Sequence, residues 1–272
     1  MNELIKVIKQ KKLNQNEVCA WYLGQEGFIF KFNNKYIVID PYLSDYVDKN
    51  CSQLVKWERL YPAPIQGKDL DFVDYVICTH SHYDHADPIT LNQIASVNKK
   101  VKFIVPAPIA NVICSYGIKE SSIIKAYADK NIVLGDFSIT PIPSAHEVFH
   151  TDDCGNYFEL GYILDFAKKR VFHAGDMCMY DGLIERLTNV DVGLLPINGR
   201  DYFRNKLDII GNFNCEEAVL LAKNAGIKTI IPMHHDLYAV NCESPERFIE
   251  QIRKYNILQK YTFLKVKDCF MI

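Results

Sequence analysis

The feature that most constrains this 272-residue chain is a group of histidines and an aspartate at the end of an apolar segment. Residues 73–78 form a run typical of a buried strand, and Thr-His-Ser-His-Tyr-Asp-His, residues 79–85, follows it directly. Clustered imidazoles repel one another when protonated and gain little on a surface, so this composition favours metal binding over a plain polar loop. We therefore expect residues 80–85 to lie where other polar side chains converge.

The spacing inside this segment predicts how it binds metal. His80 and His82 are two residues apart, so in an extended loop both imidazoles project to one side and can reach one ion. Asp84 and His85 follow and can turn toward a second ion close to the first. Four local ligands do not complete a two-metal site with open positions, so more ligands are expected from strand ends farther along the chain.

Three polar residues at the ends of later apolar runs are candidates for the missing ligands. His146 lies in Pro-Ser-Ala-His-Glu, and Asp176 lies in Phe-His-Ala-Gly-Asp, where Gly175 permits a tight turn. His234 lies in Ile-Ile-Pro-Met-His-His-Asp, which leaves open whether His234 or His235 is the ligand. Each has an alternative interpretation as a capping or turn residue. Their position at the mouth of a hydrophobic strand, where core packing favours no polar group, supports metal binding.

Composition argues against several classes of protein. Hydrophobic residues make up 49% of the chain and the net charge is −2, so no basic field recruits nucleic acid or an anionic membrane. The nine cysteines form no C-x-x-C pair, which argues against a disulfide framework or a cysteine zinc site and favours a reducing cytoplasm. No apolar run reaches the length of a membrane span, and residues 1–15 lack the apolar core of a signal peptide.

Short apolar runs predict the secondary structure that carries these residues. Residues 88–97 are predicted to form a helix capped by Asp87, and residues 42–70 an irregular lid or substrate loop. Clustered strands that later mix with single helices suggest helical layers outside a sheet core, although the order of the strands is not fixed. The lack of a repeat or a long linker predicts one domain over residues 1–272. Strands are predicted at 18–23, 27–32 and 35–39, the last two joined by a turn at Asn33-Asn34.

The spacing of the four local ligands, followed by the three later candidates, resembles the ligand order of the metallo-β-lactamase superfamily. The resemblance covers about residues 18–240. It implies an α+β fold, a four-layer αββα sandwich with the metals at one edge of the two sheets. It also implies how the ligands divide. His80, His82 and His146 would hold one ion, Asp84, His85 and His234 the other, and Asp176 would bridge them.

Within the superfamily, the chain is most similar to the L-ascorbate-6-phosphate lactonase family. Three stretches carry this resemblance: Thr-His-Ser-His-Tyr-Asp-His-Ala-Asp, Phe-His-Ala-Gly-Asp and Thr-Ile-Ile-Pro-Met-His-His-Asp-Leu-Tyr. It implies hydrolysis of a small phosphorylated sugar-acid lactone with two divalent ions. The lactonase likeness favours Mn²⁺, the wider superfamily favours Zn²⁺, and Fe²⁺ also suits imidazole and carboxylate ligands. The resemblance further implies that Asp40, and His173 three residues before the bridging aspartate, support the ligands from behind.

Other residues are expected to act on the substrate. Asp84 or Asp176 can accept the proton of the attacking water, and His235 can contact substrate, shuttle a proton or simply donate a hydrogen bond to the metal site. The aromatic residues of the 42–70 loop either wall the pocket or belong to the core. The candidates for binding a phosphate, against the alternative of a solvated charged loop, are Arg200, Arg204 and Lys206.

Three functions fit these observations. The first is a cytoplasmic lactonase or related carbon–oxygen hydrolase, the second a phosphodiesterase or nuclease, and the third a non-hydrolytic di-iron or metal-binding protein. The absence of a basic surface argues against a nuclease, and the absence of a flavin domain argues against a redox protein. The expected partner is therefore a small, phosphorylated or unphosphorylated molecule rather than nucleic acid or membrane, and a homo-oligomer stays open.

Overall fold

A computed structural model describes residues 2–51 and 54–272. Met1 and residues 52 and 53 lie outside the described residues. All three belong to the single domain predicted from the sequence, and residues 52 and 53 also to the predicted 42–70 loop. The α-helices are α1 Glu3–Gln10, α2 Tyr46–Asn50, α3 Pro88–Val97, α4 Ala110–Ser115, α5 Leu183–Arg186, α6 Tyr202–Asn205, α7 Cys215–Ala225 and α8 Pro245–Tyr255. The strands are β1 Val18–Gly24, β2 Gly27–Phe32, β3 Lys35–Ile39, β4 Tyr75–Ile77, β5 Lys102–Pro106, β6 Ile123–Ala126, β7 Ile132–Val133, β8 Ser138–Pro143, β9 Leu160–Phe166, β10 Lys169–His173, β11 Val192–Pro196, β12 Thr229–Met233, β13 Lys260–Tyr261 and β14 Cys269–Met271.

The strands form two mixed sheets of seven strands each. The first has the order β14-β1-β2-β3-β4-β5-β6 and the second the order β13-β12-β11-β10-β9-β8-β7. In the first sheet, pairing changes from antiparallel to parallel between β3 and β4. In the second sheet the same change occurs at β10, which pairs with β9 in antiparallel and with β11 in parallel orientation. Loops that leave the carboxyl ends of parallel strands meet at one edge of a sheet, and this arrangement positions the site.

Both faces of the central strands are covered, which explains why their sequences are almost continuously apolar. Every residue of β1 is buried. Val18, Ala20 and Tyr22 belong to the core between the sheets, whereas Trp21 belongs to the core beneath α1 and α3. Alternate side chains of a strand point to opposite faces, so one strand serves two cores. Helices α7 and α8 cover the second sheet. The expected α+β fold, a four-layer αββα sandwich, is confirmed.

The local predictions around the site are confirmed in part. Helix α3 covers the predicted residues, and the Asp87 side chain accepts a hydrogen bond from the Ile89 amide. The turn between β2 and β3 holds Asn33 at φ 49°, a left-handed conformation that asparagine tolerates. The prediction that residues 42–70 form an irregular loop is confirmed for most of its described residues. This segment contains α2 and a turn of 3₁₀ helix at Gly67–Asp69 with a capping box between Gln66 and Asp69.

Two expectations from composition concern features of the fold. In the described part of the chain, no helix has the length and apolar character needed to cross a membrane. All nine cysteines are free thiols. Cys78 and Cys178, the two nearest in sequence to predicted ligands, are buried in the protein.

Candidate metal centre

Loops from both sheets meet at one edge of the sandwich, and each follows a strand. In each case a polar side chain follows within three residues of the end of the strand. The polar side chains therefore come from segments far apart in sequence. Asp40 follows β3, Thr79 and His80 follow β4, His146 follows β8, Asp176 follows β10 and His234 follows β12.

The seven predicted ligands lie together in two adjoining groups, and within each group the ligand atoms lie within 4.8 Å of one another. The carboxylate of Asp176 reaches both groups. Its Oδ2 lies 3.3 Å from His146 Nε2, and its Oδ1 lies 3.3 Å from His234 Nε2. Asp176 therefore occupies the position of a bridging carboxylate. The first group is His80, His82, His146 and Asp176, and the second is Asp84, His85 and His234.

The donor atoms fit divalent metal ions. Nε2 of His80 and Nε2 of His85 are buried and have no hydrogen-bond partner among the described residues. A buried polar atom without a partner costs about 1–3 kcal/mol, so such atoms need a ligand. Imidazole and carboxylate without thiolate suit Zn²⁺, Mn²⁺ and Fe²⁺. His82 is exposed and lines a cavity, which gives the first group a route to solvent.

The two groups differ in their electrostatics. Burial, followed by the charges of neighbouring histidines, lowers the pKa of His80 well below its usual value, and burial lowers the pKa of His146 to about 4. Burial also acts to lower the pKa of His85, but the carboxylates of Asp176 and Asp84 outweigh it and raise that pKa. Without metal, the first group thus favours neutral imidazoles, the form that binds an ion, whereas nearby carboxylates favour the charged form of His85.

Asp40 supports the second group from behind. Its Oδ2 lies 2.8 Å from His85 Nδ1 and accepts a hydrogen bond of 2.6 Å from the Thr79 hydroxyl, while Oδ1 accepts one of 2.8 Å from the Thr79 amide. A carboxylate on one imidazole nitrogen fixes the ring so that the other nitrogen faces the metal. Asp40 has φ 42°, a left-handed conformation that is costly for a residue with a side chain. The strain falls where the site needs a sharp turn.

The backbone before Asp176 depends on Gly175 and His173. Gly175 has φ 62°, and a Cβ there would lie 2.7 Å from Thr79 Cβ, so no larger residue fits. The Gly175 amide donates to His173 Nδ1 at 3.2 Å, and His173 Nε2 lies 2.8 Å from the Glu26 carbonyl oxygen. Both ring nitrogens of His173 therefore serve the backbone, and the ring fixes the turn that carries Asp176.

The residues predicted to act on substrate lie in different surroundings. Of the two adjacent histidines, His234 is in the ligand group, whereas the ring of His235 packs edge-on against Phe263, 5.5 Å away, and does not line the cavity. Arg200 bonds both carboxylate oxygens of Glu217. Arg204 bonds the Asn198 carbonyl oxygen and pairs with Asp201, and Lys206 lies over the Tyr202 ring. Their roles in binding substrate stay predictions.

Sequence reasoning missed a chain of buried amides behind Asp176. Asn212 donates to Asp176 Oδ1 at 2.8 Å and to Asn198 Oδ1 at 3.1 Å. Asn198 in turn donates to Asn241 Oδ1 at 3.0 Å, which also accepts from Arg204. This chain links the bridging carboxylate to the loop that contains α6. The three asparagines lie far apart in sequence, so no local motif marks them.

Sequence reasoning also missed Gln25 and Glu26, at the turn between β1 and β2. Both side chains are buried, and the Glu26 carboxylate has no hydrogen-bond partner among the described residues. Glu26 Oε2 lies 3.7 Å from His85 Nδ1. Burial, and next the charge of Asp176, raises the pKa of Glu26 well above its usual value. A polar pair between two strands that are almost entirely apolar was the signal that could have identified them.

Replacing Glu26 by glutamine should stabilise the metal-free protein at neutral pH. Because the pKa of Glu26 in the folded state lies above its usual value of 4.5, the folded state keeps a proton that the unfolded state releases. Protonated Glu26 therefore contributes a loss of stability in wild type as pH rises above that value, and the Glu26→Gln variant lacks this contribution. We expect the gap in unfolding free energy to grow to about 1–3 kcal/mol, measured by urea unfolding from pH 4 to 8. A gap independent of pH would contradict this.

A cavity of about 460 Å³ opens above the two ligand groups. Ser81, Asp84, Asp208 and Asn241 are among its polar lining residues. The cavity lies within reach of both groups because His82, His146, Asp176 and His234 line its floor. Its walls are largely apolar, formed by Val47, Trp57, Tyr83, Val112, Tyr116, Ile209 and Ile210. Of the aromatic residues predicted in the 42–70 loop to wall the pocket or join the core, Trp57 lines this cavity and also packs against Tyr238. Tyr42 and Tyr61 pack in the same apolar cluster around Tyr238 and are not among the described residues that line the cavity.

Comparisons with known proteins agree on one family. A model of the β-lactamase superfamily domain matches residues 35–235. A UPF0173 metal-dependent hydrolase from Bacillus cereus is 26% identical over 239 residues, which are 85% of this chain and 92% of that protein. The resemblance to the lactonase family stays a prediction.

Solved structures share the fold at low sequence identity. A metallo hydrolase from Ignicoccus hospitalis has a TM-score of 0.68 and 21% identity, with 94% of this chain and 98% of that chain covered. A possible metal-dependent hydrolase from Veillonella parvula has a TM-score of 0.74 and 16% identity, with 95% and 100% covered. With the family match, the ligand groups and the unpartnered imidazoles, the chain belongs to the β-lactamase superfamily and is a metal-dependent hydrolase.

Proposed function

We propose that this protein uses two divalent ions to hydrolyse a lactone or ester whose body is uncharged and largely apolar. The observation that carries the proposal is the lining of the cavity. Its walls are aromatic and aliphatic, and its charged groups outside the imidazoles are Asp84, Asp176 and Asp208. No Lys or Arg is among the described residues that line it. Apolar walls with a few polar groups favour an uncharged body with one reactive polar bond.

The positions of the candidate phosphate-binding residues favour an uncharged substrate over a phosphorylated sugar-acid lactone. Arg200 and Arg204 are already paired with Glu217 and Asp201, and neither lines the cavity. A substrate phosphate would therefore meet no protein cation there and would face the carboxylate of Asp208. Phosphate recognition in proteins relies on Arg or Lys donors, so a phosphorylated lactone is the less favoured substrate.

The chain's own residues would orient the water and accept its proton. When bound, two divalent ions lower the pKa of a shared water and polarise the carbonyl oxygen of the substrate. Asp84 faces the cavity, and His85 and His234 hold its pKa below its usual range although burial acts to raise it. Asp84 is therefore ionised, and its position in the cavity would let it accept the proton of the attacking water. Asp176 is less available for this step, since Asn212 and four histidines engage its carboxylate.

A panel of substrates tests the proposal. Purified protein reconstituted with Mn²⁺ or Zn²⁺ is assayed on aliphatic lactones, aryl esters, a phosphorylated sugar-acid lactone and a phosphodiester. We expect kcat/KM for the apolar lactones or esters to exceed that for the phosphorylated lactone by at least about tenfold, which corresponds to 1.4 kcal/mol. A preference for the phosphorylated lactone would contradict the apolar substrate class, and turnover of the phosphodiester alone would contradict carbon–oxygen hydrolysis.

The panel also separates the other functions considered. A phosphodiesterase or nuclease would cleave the phosphodiester and leave the lactones intact. A non-hydrolytic di-iron or metal-binding protein would turn over none of the four substrates with any metal. Neither alternative is favoured by a specific contact in the site, so both enter only as outcomes of this assay.

A further inference from the structure

The turn between β1 and β2 brings Gln25 to the second ligand group. Its side chain is 2% exposed, and its φ of 56° is left-handed. The Gln25 carbonyl oxygen accepts hydrogen bonds from the His234 amide at 3.0 Å and from the Tyr22 hydroxyl at 3.0 Å. The backbone of Gln25 is therefore fixed to the loop that carries His234. A strained, anchored conformation at such a position points to a role in the site.

The end of the Gln25 side chain touches two atoms that face the second ion. Its amide nitrogen lies 2.7 Å from Asp84 Oδ2 and 3.0 Å from His234 Nε2. Those two atoms lie 3.4 Å from each other. Ligands held about 2.1 Å from one ion at right angles lie about 3 Å apart. The spacing of the Gln25 amide from Asp84 and His234 is thus that of a neighbouring ligand.

An amide has one end that binds cations and one that does not. The N–H groups of Gln25 suit the ionised Asp84 while no cation is near, but they would repel a cation bound by Asp84 and His234. A half-turn about the last side-chain bond exchanges the nitrogen for Oε1 with little change in shape. The carbonyl oxygen then occupies the same place. Side-chain amide oxygens are ordinary ligands of hard divalent ions.

We propose that Gln25 binds the second metal ion through Oε1 and biases that position toward a six-coordinate ion such as Mn²⁺. This inference rests on the metal dependence of the site and not on the substrate class. Gln25 would add a neutral oxygen to the second group, which already offers two imidazoles and a carboxylate and adjoins Asp176. With a water molecule these make six ligands. Zinc prefers four, so the added oxygen favours Mn²⁺ over Zn²⁺.

Replacement of Gln25 by methionine tests the proposal without any substrate. Methionine keeps the length of the side chain but has no oxygen. We expect the dissociation constant of the second Mn²⁺ ion, measured by titration calorimetry, to rise about 10–100-fold, and that of Zn²⁺ to rise much less. The Gln25→Glu variant keeps an oxygen and should bind the second Mn²⁺ ion within a few fold of wild type. A crystal structure of the Mn²⁺-loaded protein should show Oε1 in contact with the ion.

The matched control is Gln259→Met, at another buried glutamine. Its amide donates to the carbonyl oxygens of Ile227 and Lys228, far from the ligands, so the change should lower stability without changing metal affinity. Unchanged Mn²⁺ affinity in Gln25→Met would overturn the proposal. So would weak Mn²⁺ binding by Gln25→Glu, or a loaded structure with the Gln25 amide nitrogen still on Asp84. Because metal binding is measured without a substrate, these results can be interpreted even if the proposed substrate class is wrong.

Discussion

Replacement of Asp176 by alanine should abolish hydrolysis and remove metal from both positions. Its two oxygens face both ligand groups, 3.3 Å from His146 Nε2 and 3.3 Å from His234 Nε2. Among the described residues, the other carboxylates close to these ligands are Asp84, which belongs to the second group, and Glu26, which lies with His85 and Asp176. We expect kcat/KM to fall at least about a thousandfold, a loss of roughly 4 kcal/mol in transition-state stabilisation. Elemental analysis of the dialysed variant should find less than half of the wild-type metal content.

The control for this variant is Asp208→Ala, which removes a carboxylate from the same cavity. Asp208 lines the cavity but belongs to neither ligand group. Its replacement should leave metal content unchanged. If Asp176→Ala retained two ions and wild-type activity, Asp176 would not be the bridge. Equal loss of metal in both variants would point to a general effect of charge and not to ligation.

Replacement of Asp40 by alanine should weaken both the fold and the second metal position. The change leaves His85 Nδ1 and the amide and hydroxyl of Thr79 without their buried acceptor. Removing one partner of a buried, hydrogen-bonded charge costs about 3–5 kcal/mol. Loss of the carboxylate that orients a metal-binding histidine costs about 10–100-fold in metal affinity. Chemical unfolding of the metal-free protein and Mn²⁺ titration measure the two effects separately.

The Asp40→Asn variant separates the effect of the negative charge from the effect of the side-chain shape. Asparagine tolerates the left-handed backbone that Asp40 adopts and keeps one acceptor oxygen, but it carries no charge. We expect Asp40→Asn to recover most of the stability lost in Asp40→Ala and only part of the metal affinity. If Asp40→Ala unfolded at the same urea concentration as wild type and bound both ions normally, the supporting role of Asp40 would be wrong.

The parts of the site that could be predicted from sequence are those with a local signature. His80, His82 and His85 stand within six residues directly after an apolar strand, so their spacing alone predicts convergence on metal. Asp176 and His234 each follow a strand, and the resemblance to the superfamily supplied their order. The four-layer fold came from that resemblance and not from periodicity.

The remaining features depend on contacts between distant residues. Strand β14 pairs with β1, placing Cys269 opposite Trp21, and no local pattern in residues 269–271 specifies that partner. In the sequence, Gln25 and Glu26 look like an ordinary polar turn between two strands. Their burial results from packing against loops from the other sheet, which the local sequence does not show. Asn212 joins the site only through the loop that follows α6. Sequence could give neither the sheet order nor the contacts of Gln25, Glu26 and Asn212 with the ligands.

The most direct test of the central claim is the number of metal ions bound to each chain. The claim is that Asp176 joins two complete ligand groups, each of which holds a divalent ion. Wild-type protein is stripped with chelator, reconstituted with Mn²⁺ or Zn²⁺, freed of excess metal and measured by elemental analysis against protein concentration. We predict two ions per chain, and two separable binding steps in the titration. A content of one ion or fewer under saturating conditions would contradict the dinuclear site.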